Sequence, residues 1–166
     1  IVEALAKPDA SRGRSSLASC DYMHFLFLPR QSQERYNLYM DFQGVIIEES
    51  LIDNSVLKNL KIESTDVGIV TEKHKTPWVK QWTMHNVLIP QEDAANIAEQ
   101  ISYSLDSDHQ WFADFKTEEE HYVIFREKVF HINRYESQDY EAATRYGIQI
   151  GLPKYQVDFS ALKQTK

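Results

Sequence analysis

Apolar and polar residues alternate in short runs through the middle of the chain, as is typical of β-strands. Three such runs are rich in β-branched and aromatic residues and are bounded by polar links: FQGVIIEE (42–49), KIESTDVGIVTE (61–72) and QWTMHNVLIP (81–90). The link DNSVLKNL (53–60) begins with Asp53, a favourable N-cap residue, and predicts a short helix or turn. The first half of the domain is therefore predicted to be strands joined by short connections.

Two later segments follow the 3.6-residue period of a helix instead. In QEDAANIAEQISYSL (91–105) the apolar residues recur at steps of three and four: Ala94, Ile97, Ala98, Ile101 and Leu105. The segment ESQDYEAATRYG (136–147) predicts a second helix, with Ser137 as its N-cap and Gly147 as its end.

The segment HQWFADFKTEEEHYVIFREKVFHI (109–132) predicts one strand and then a hairpin that turns at Glu127 and Lys128. The tail IQIGLPKYQVDF (148–159) adds two β-like fragments around Pro153. Neighbouring strands with short links must pair antiparallel. The sequence therefore predicts an α+β fold, a single antiparallel sheet with helices packed on one face.

Residues 1–39 differ from the rest in composition. KPDASRGRSSLASC (7–20) is small, polar and basic, which is typical of a flexible segment. Residues 40–166 hold 13 basic and 21 acidic residues, a net charge of −8. We expect 1–39 to be a flexible or non-native N-terminal extension and 40–166 to be the α+β domain. The alternative is a native arm that packs through residues 25–28.

Charge and cysteine content restrict the partners and the compartment. A net charge of −7 repels nucleic-acid backbones, so nucleic acid is an unlikely partner. An RNA-facing sheet would need its lysines grouped on one face: Lys73, Lys75, Lys80 and Lys116. The one cysteine, Cys20, excludes an internal disulfide and a multi-thiolate zinc site. No apolar run could span a bilayer. We expect a cytoplasmic protein with no membrane partner, no metal and no cofactor.

The segments WFADFK (111–116) and HYVIFREKVF (121–130) carry a resemblance. They are similar to a W-[FY]-A-D-F-K and H-Y-[VI]-I-F-R-x-K-V-F pattern shared by a family of small uncharacterised bacterial proteins. The resemblance covers roughly residues 42–159 and implies no reaction, because the function of that family is unknown. Relatives often carry Asn where this chain has Glu127. Asn suits a tight turn and Glu does not, which argues against a two-residue hairpin.

Tryptophans form the first group of candidate site residues. Trp78 and Trp82 lie four positions apart and so share a face of a strand, and Trp111 begins another strand. Together they would make an aromatic wall for a planar ligand or a base. Packing between sheet and helix is the simpler interpretation, because burying large rings is strongly favourable.

Histidines are the second group. His85, His121 and His131 show none of the local spacings that zinc or non-haem iron sites favour. Hydrogen-bonded structural histidines are therefore the default interpretation. An enzyme site would follow if His121 and His131 shared a pocket across the hairpin.

Charged residues in apolar strands are the third group. Asp114, Lys116 and Arg126 lie where charges are scarce unless they are paired. We expect Asp114 to meet Arg126 or Lys116 on one face of the sheet, as a structural ion pair. The functional version has the cation accept an anionic ligand that Asp114 orients. LDSDHQW (105–111) is typical of a solvated loop more than of a metal site.

Two functions remain open. The first is a small cytosolic binding or regulatory module for an anionic small molecule or a protein, with a homodimer formed through a sheet edge or the aromatic patch. The alternative is a small hydrolase-like or phosphoryl-ester enzyme with a pocket of His85, His121, Asp114 and Arg126. The sequence has no nucleophile elbow and no phosphate-binding loop. The candidate ligand-binding residues are Trp78, Trp82, His85, Trp111, Asp114, Lys116, His121 and Arg126.

The division at residue 40 can be tested by limited proteolysis. Flexible segments are cleaved before packed ones, so brief digestion should trim the chain to a core that begins near Met40. Mass spectrometry of the fragments gives the boundary. Protection of residues 20–36 would contradict the division and favour the packed arm.

Overall fold

The computed structural model describes residues 41–160. The predicted extension 1–39 lies outside these residues. Six strands form one sheet in the order β2-β3-β1-β4-β5-β6, and every neighbouring pair is antiparallel. The strands are β1 (Phe42–Ile47), β2 (Lys61–Ile69), β3 (Gln81–Ile89), β4 (Phe112–Lys116), β5 (Glu120–Phe125) and β6 (Lys128–Asn133). The single antiparallel sheet and the α+β class are confirmed.

Within residues 41–160, two α-helices accompany the sheet. They are α1 (Ala94–Ser104) and α2 (Ser137–Gln149). Short 3₁₀ turns occupy several of the links, and the one at Asn54–Asn59 begins after Asp53, whose side chain accepts a hydrogen bond from the backbone N–H of Ser55. Both predicted helices and the predicted N-cap at Asp53 are therefore present.

The first face of the sheet carries the larger core and α1. Phe42, Ile46 and Phe115 are fully buried there, and Ile97 and Ile101 of α1 belong to the same cluster. Burying side chains of this size contributes roughly 1.5–3 kcal/mol each. The apolar stripe read from the sequence is the side of α1 that packs in this way.

The second face carries a smaller core under α2. Val123, Phe125 and Ile132 cluster there with Tyr140 and Ala143 of α2. Successive residues of β5 alternate between the two cores, since Tyr122 and Ile124 belong to the first and Val123 and Phe125 to the second. The two helices thus lie on opposite faces of the sheet, whereas the sequence placed both on one face. The reason is that β5 is apolar at consecutive positions and needs cover on both sides.

The end of α2 differs from the prediction. The helix continues past Gly147 to Gln149 and stops at Gly151, which has φ +100°. There the N–H of Leu152 donates to the carbonyl of Gly147 and that of Gly151 to the carbonyl of Ile148, a Schellman motif. Gly147 lies inside the helix. The position requires glycine because a Cβ there would come within 2.8 Å of Val157. Close packing, and not termination, explains this glycine.

Two further local predictions were wrong. The β-like tail forms a 3₁₀ turn, Lys154–Gln156, and not strands. The hairpin between β5 and β6 turns at Arg126 and Glu127, because Phe125 already pairs with Lys128. It is a two-residue hairpin even without Asn or Gly, and Glu127 adopts φ 55°. The N–H of Glu127 donates to the carbonyl of Ser102 in α1, which holds the turn in place.

The positive φ of Glu127 predicts a stabilising substitution. Asn tolerates the left-handed region better than Glu, so Glu127→Asn should raise the free energy of unfolding by about 0.5–1 kcal/mol. Urea denaturation measures the change. The control is Glu127→Ala, which removes the same charge but has no tolerance for this conformation. Equal stabilisation by Asn and Ala would show that loss of the charge is responsible, and not the backbone.

Candidate functional site

A concavity of about 290 Å³ opens on the second face of the sheet. Its floor comes from β1, β3 and β4, where Val45 is 43% exposed. Its walls come from the links before β3 and β4 and from the segment after α2. The lining residues are Val45, Ile47, Thr76, Trp82, Met84, Gln110, Trp111, Phe112, Asp114, Leu152 and Gln156. This lining includes three of the residues predicted from sequence.

The tryptophan wall is built around Trp111, which is buried just before β4. Its ring meets Trp82 edge-on at a centroid distance of 6.3 Å and Trp78 at 6.1 Å. Trp82 is anchored because its indole N–H donates to the hydroxyl of buried Thr76 at 3.1 Å. Trp111 belongs to the first core and Trp82 packs against it, as the packing interpretation predicted, whereas Trp78 is 42% exposed. Only Trp82 and Trp111 line the concavity.

A hydrogen-bonded pair, Asp106 and His109, contacts the tryptophan cluster through Trp78. The ring of Trp78 stacks on His109 at 4.2 Å, and His109 Nδ1 lies 2.6 Å from the Asp106 carboxylate. Burial acts to raise the pKa of Asp106, but hydrogen bonds from the Asp108 backbone and from His109 outweigh it and hold this pKa below its ordinary value. The loop that the sequence indicated as solvated therefore fixes the position of an aromatic ring.

The buried indole Nε1 of Trp111 has no hydrogen-bond partner within residues 41–160. The Trp111 side chain is the smallest of the effects that lower the pKa of the Asp106 carboxyl. Asp106 therefore interacts with two residues at the tryptophan cluster, His109 and Trp111.

Asp114 carries the one carboxylate among the described residues that line the concavity. Its Oδ2 accepts a hydrogen bond from His121 Nε2 at 2.9 Å, and its side chain is 35% exposed. The two residues lie diagonally across neighbouring strands, since Asp114 pairs with Val123 and Lys116 pairs with His121. His121 is buried behind the carboxylate.

The hydrogen-bond chain continues from His121 to α2. Its Nδ1 lies 3.0 Å from the hydroxyl of buried Tyr140. A carboxylate can only accept, so Nε2 of His121 donates to Asp114, and Nδ1 of the same ring contacts the phenol of Tyr140. Burial raises the pKa of Tyr140, the Arg134 guanidinium beside the phenol opposes the rise, and the negative charge of Asp114 adds to it. The raised pKa keeps the phenol protonated, and its hydroxyl lies beside Nδ1 of His121.

The remaining wall comes from the residues that follow α2. The turn at Gly151 directs Leu152 into the protein, where it is buried and lines the concavity. Gln156 then donates from Nε2 to the backbone carbonyl of His74, in the link between β2 and β3, at 3.3 Å. This bond ties two distant parts of the chain together at the rim.

Other predicted site residues lie elsewhere. His85 is on the first face, because it pairs with Ile46 while Asp114 pairs with Val45. Its ring contacts the Thr65 hydroxyl at 2.9 Å and the Glu48 carboxylate at 3.0 Å.

His131 does not share a pocket with His121. It stacks on Tyr122 at 4.3 Å, and Tyr122 belongs to the first-face core. These findings contradict both a pocket that joins His85 to Asp114 and one that joins the two histidines across the hairpin.

The predicted ion pair was also wrong. Arg126 sits in the hairpin turn, where its guanidinium donates to the carbonyl of Leu105 at the end of α1 and lies 3.6 Å from Glu127. Asp114 pairs with His121 instead. Lys116 is exposed at the end of β4, on the same face as Asp114 but outside the lining. Strand register decided these partners, because Asp114 pairs with Val123 in the middle of β5, whereas Arg126 lies beyond the end of that strand.

A second, more open concavity of about 960 Å³ lies along the link between β2 and β3. Lys75, Lys80 and Trp78 line it, and Thr76 lines both concavities. Two of the lysines named for an RNA-facing sheet are therefore close together, on a loop. Lys116 belongs to β4.

Sequence reasoning missed Tyr140, Met84, Leu152 and Gln156. Tyr140 occupies the apolar side of a helix pattern, which indicates only that it is buried. Met84 follows the strand alternation, and the last two residues lie in a tail that carries no periodic signal. No local pattern could have shown that they approach Asp114.

No family model, no curated protein and no solved structure matches this chain. Within residues 41–160, none of the helices has the length and apolar character needed to cross a bilayer.

The lowered pKa of Asp106 predicts a pH-dependent contribution to stability. A carboxyl with a lowered folded-state pKa stabilises the protein above its unfolded-state pKa, about 3.9, and loses that effect as pH falls through the folded-state value. Asp106→Asn should therefore lower the free energy of unfolding by about 1–2 kcal/mol at pH 6, and by less at pH 3. Urea denaturation at both pH values measures the difference.

The matched control is Asp108→Asn in the same loop, where the side chain is exposed and should contribute less than about 0.5 kcal/mol. A deficit for Asp106→Asn that stays constant from pH 3 to pH 6 would show that the charge is not responsible.

Proposed function

We propose that the protein is a small binding module whose ligand site is the concavity on the second face of the sheet. One observation carries the proposal: a partly exposed carboxylate, Asp114, is held in orientation by buried His121 within an apolar, tryptophan-walled hollow. Ligand sites typically combine an apolar lining with a few placed polar groups. A volume of about 290 Å³ suits a ligand with one or two rings.

The buried hydrogen-bond chain supports this proposal over a purely structural role. Charged groups in apolar surroundings reduce stability unless they are paired. His121 donates to Asp114 from the protein side and Tyr140 contacts the other nitrogen of the His121 ring, while the other side of the carboxylate faces the hollow. A carboxylate that is hydrogen-bonded to the protein on one side and exposed to the hollow on the other can contact a ligand.

An enzyme remains the second candidate function, and the Asp114–His121 contact favours it. A histidine hydrogen-bonded to a carboxylate is a common acid–base arrangement. In this protein the histidine is the buried member and the carboxylate is the exposed one, so Asp114 would meet a substrate first. The hydrolase-like or phosphoryl-ester chemistry expected from sequence included Arg126 and His85, which lie away from this pair.

The expected homodimer and location also remain proposals. The outer edge strand, β2, exposes Val67 and Ile69 by 62% and 82%, and such an edge can pair with a second chain. The single cysteine suits a reducing compartment, which supports a cytoplasmic location.

Titration with 2-phenylethanol tests the site. This neutral probe should shift the indole N–H signals of Trp82 and Trp111 in ¹H–¹⁵N spectra and leave the amide signals of α1 unchanged. Val45→Phe fills the floor of the hollow and should weaken binding by about tenfold or more. The control, Val67→Phe, adds the same ring on β2, away from the hollow, and should bind as the wild type does.

Failure of the probe to shift either indole signal at saturating concentration would reject the proposal. Equal binding by Val45→Phe and the wild type would reject it as well, because the probe would then occupy another site.

A further inference from the structure

We propose that the ligand of this concavity is a small organic ammonium ion, whose cationic nitrogen contacts Asp114 while its apolar part packs on Trp82 and Trp111. The inference rests on the proposed function and adds the chemical class of the ligand. It departs from the anionic ligand that the sequence suggested.

The free oxygen of Asp114 is the first reason. Within residues 41–160, Oδ2 of Asp114 takes the His121 hydrogen bond and Oδ1 accepts none. A carboxylate binds cationic N–H donors with short, strong hydrogen bonds. The 35% exposure of the side chain, together with its place in the lining, leaves Oδ1 available to a ligand on the solvent side.

The charge balance of the lining is the second reason. Among the described lining residues, no Lys or Arg compensates the Asp114 charge. His121 Nε2 donates to Asp114 and orients the carboxylate, which is the one acidic group among the described lining residues. An anion entering this hollow would be repelled at short range, and a cation would be attracted.

The aromatic walls are the third reason. Trp82 and Trp111 stand at 65° to each other, so two ring systems border the same space. The faces of indole rings attract cations, and the attraction grows when the site is sheltered from water. Phe112 and Met84 complete a lining whose polarizable groups also suit alkylated nitrogen. A carboxylate beside aromatic faces is the chemistry that recognises organic ammonium groups.

The fourth reason is that buried side chains hold Asp114 in a fixed orientation. His121 and Tyr140 are both buried, and they join Asp114 on β4 to α2 through contacts of 2.9 and 3.0 Å. The carboxylate is therefore pre-oriented, which reduces the entropy that binding would otherwise lose. A surface aspartate that only served solubility would not need this support.

Three probes that share one ring and a two-carbon chain test the inference: phenethylamine, 2-phenylethanol and phenylacetate. At pH 7 they are cationic, neutral and anionic. The wild type should bind phenethylamine about tenfold more tightly than 2-phenylethanol, and phenylacetate more weakly than either. Indole N–H shifts of Trp82 and Trp111 report the dissociation constants.

Asp114→Asn should remove the preference for the amine, so that phenethylamine and 2-phenylethanol bind to the variant within about twofold of each other. The control is Asp66→Asn, which removes the same charge from exposed β2 and should keep the preference. Dispersed amide spectra verify that each variant is folded. If Asp114→Asn does not fold, the ranking of the three probes on the wild type still decides the matter.

The outcomes separate the two proposals. Equal binding of the amine and the alcohol would overturn the ammonium inference and leave the binding site standing. Tightest binding by phenylacetate would also overturn it, and would point to the lysines of the second concavity. No binding of any probe at the two indoles would reject both.

Discussion

The pairing of β5 with β4 and β6 is the constraint on which the rest of the structure depends. β5 is buried on both faces, so each of its side chains has a core to fill: Tyr122 and Ile124 on one side, Val123 and Phe125 on the other. A slip of one residue would exchange these faces. It would also carry His121 into the first-face core, away from Asp114 and Tyr140. The same register that builds both cores therefore builds the candidate site.

Uneven cover of the second face explains why a hollow exists. α2 packs on β6 and reaches Phe125 of β5, while Val45 on β1 stays half exposed. The Schellman turn at Gly151 sends the chain back toward the sheet, where Leu152 is buried and Gln156 bonds to the carbonyl of His74. The hollow lies between this returning segment and the tryptophan wall. It follows from helix length and turn chemistry, because a longer α2 would direct the returning segment elsewhere.

The polar groups around the hollow follow one physical logic. Asp106 and Asp114 are both carboxylates close to aromatic rings, and each is held by a histidine at 2.6 or 2.9 Å. Asp106 stabilises the wall from behind, as its lowered pKa indicates. Asp114 faces the hollow. Asp106 is a structural group, whereas we propose that Asp114 contacts the ligand. The two carboxylates differ in where the chain places them. Local departures from apolar packing of this kind are expected at functional sites.

The sequence by itself determined the elements. A period of two residues identified the strands, a period of 3.6 identified α1, and the antiparallel class followed from the short links. These patterns are local, so they can be recognised without knowing which strands pair or which helix packs on which face. The sequence also singled out Asp114, His121, Trp82 and Trp111 as chemically unusual, but it paired Asp114 with Arg126 and joined it to His85.

Only the tertiary structure decided those partners. A change of one position moves a strand side chain to the opposite face, and no local pattern fixes how two strands align. For the same reason, three features depend on the packing of distant segments. They are the helices on both faces of the sheet, the hairpin turn at Arg126 and Glu127, and the contact of Tyr140 with His121.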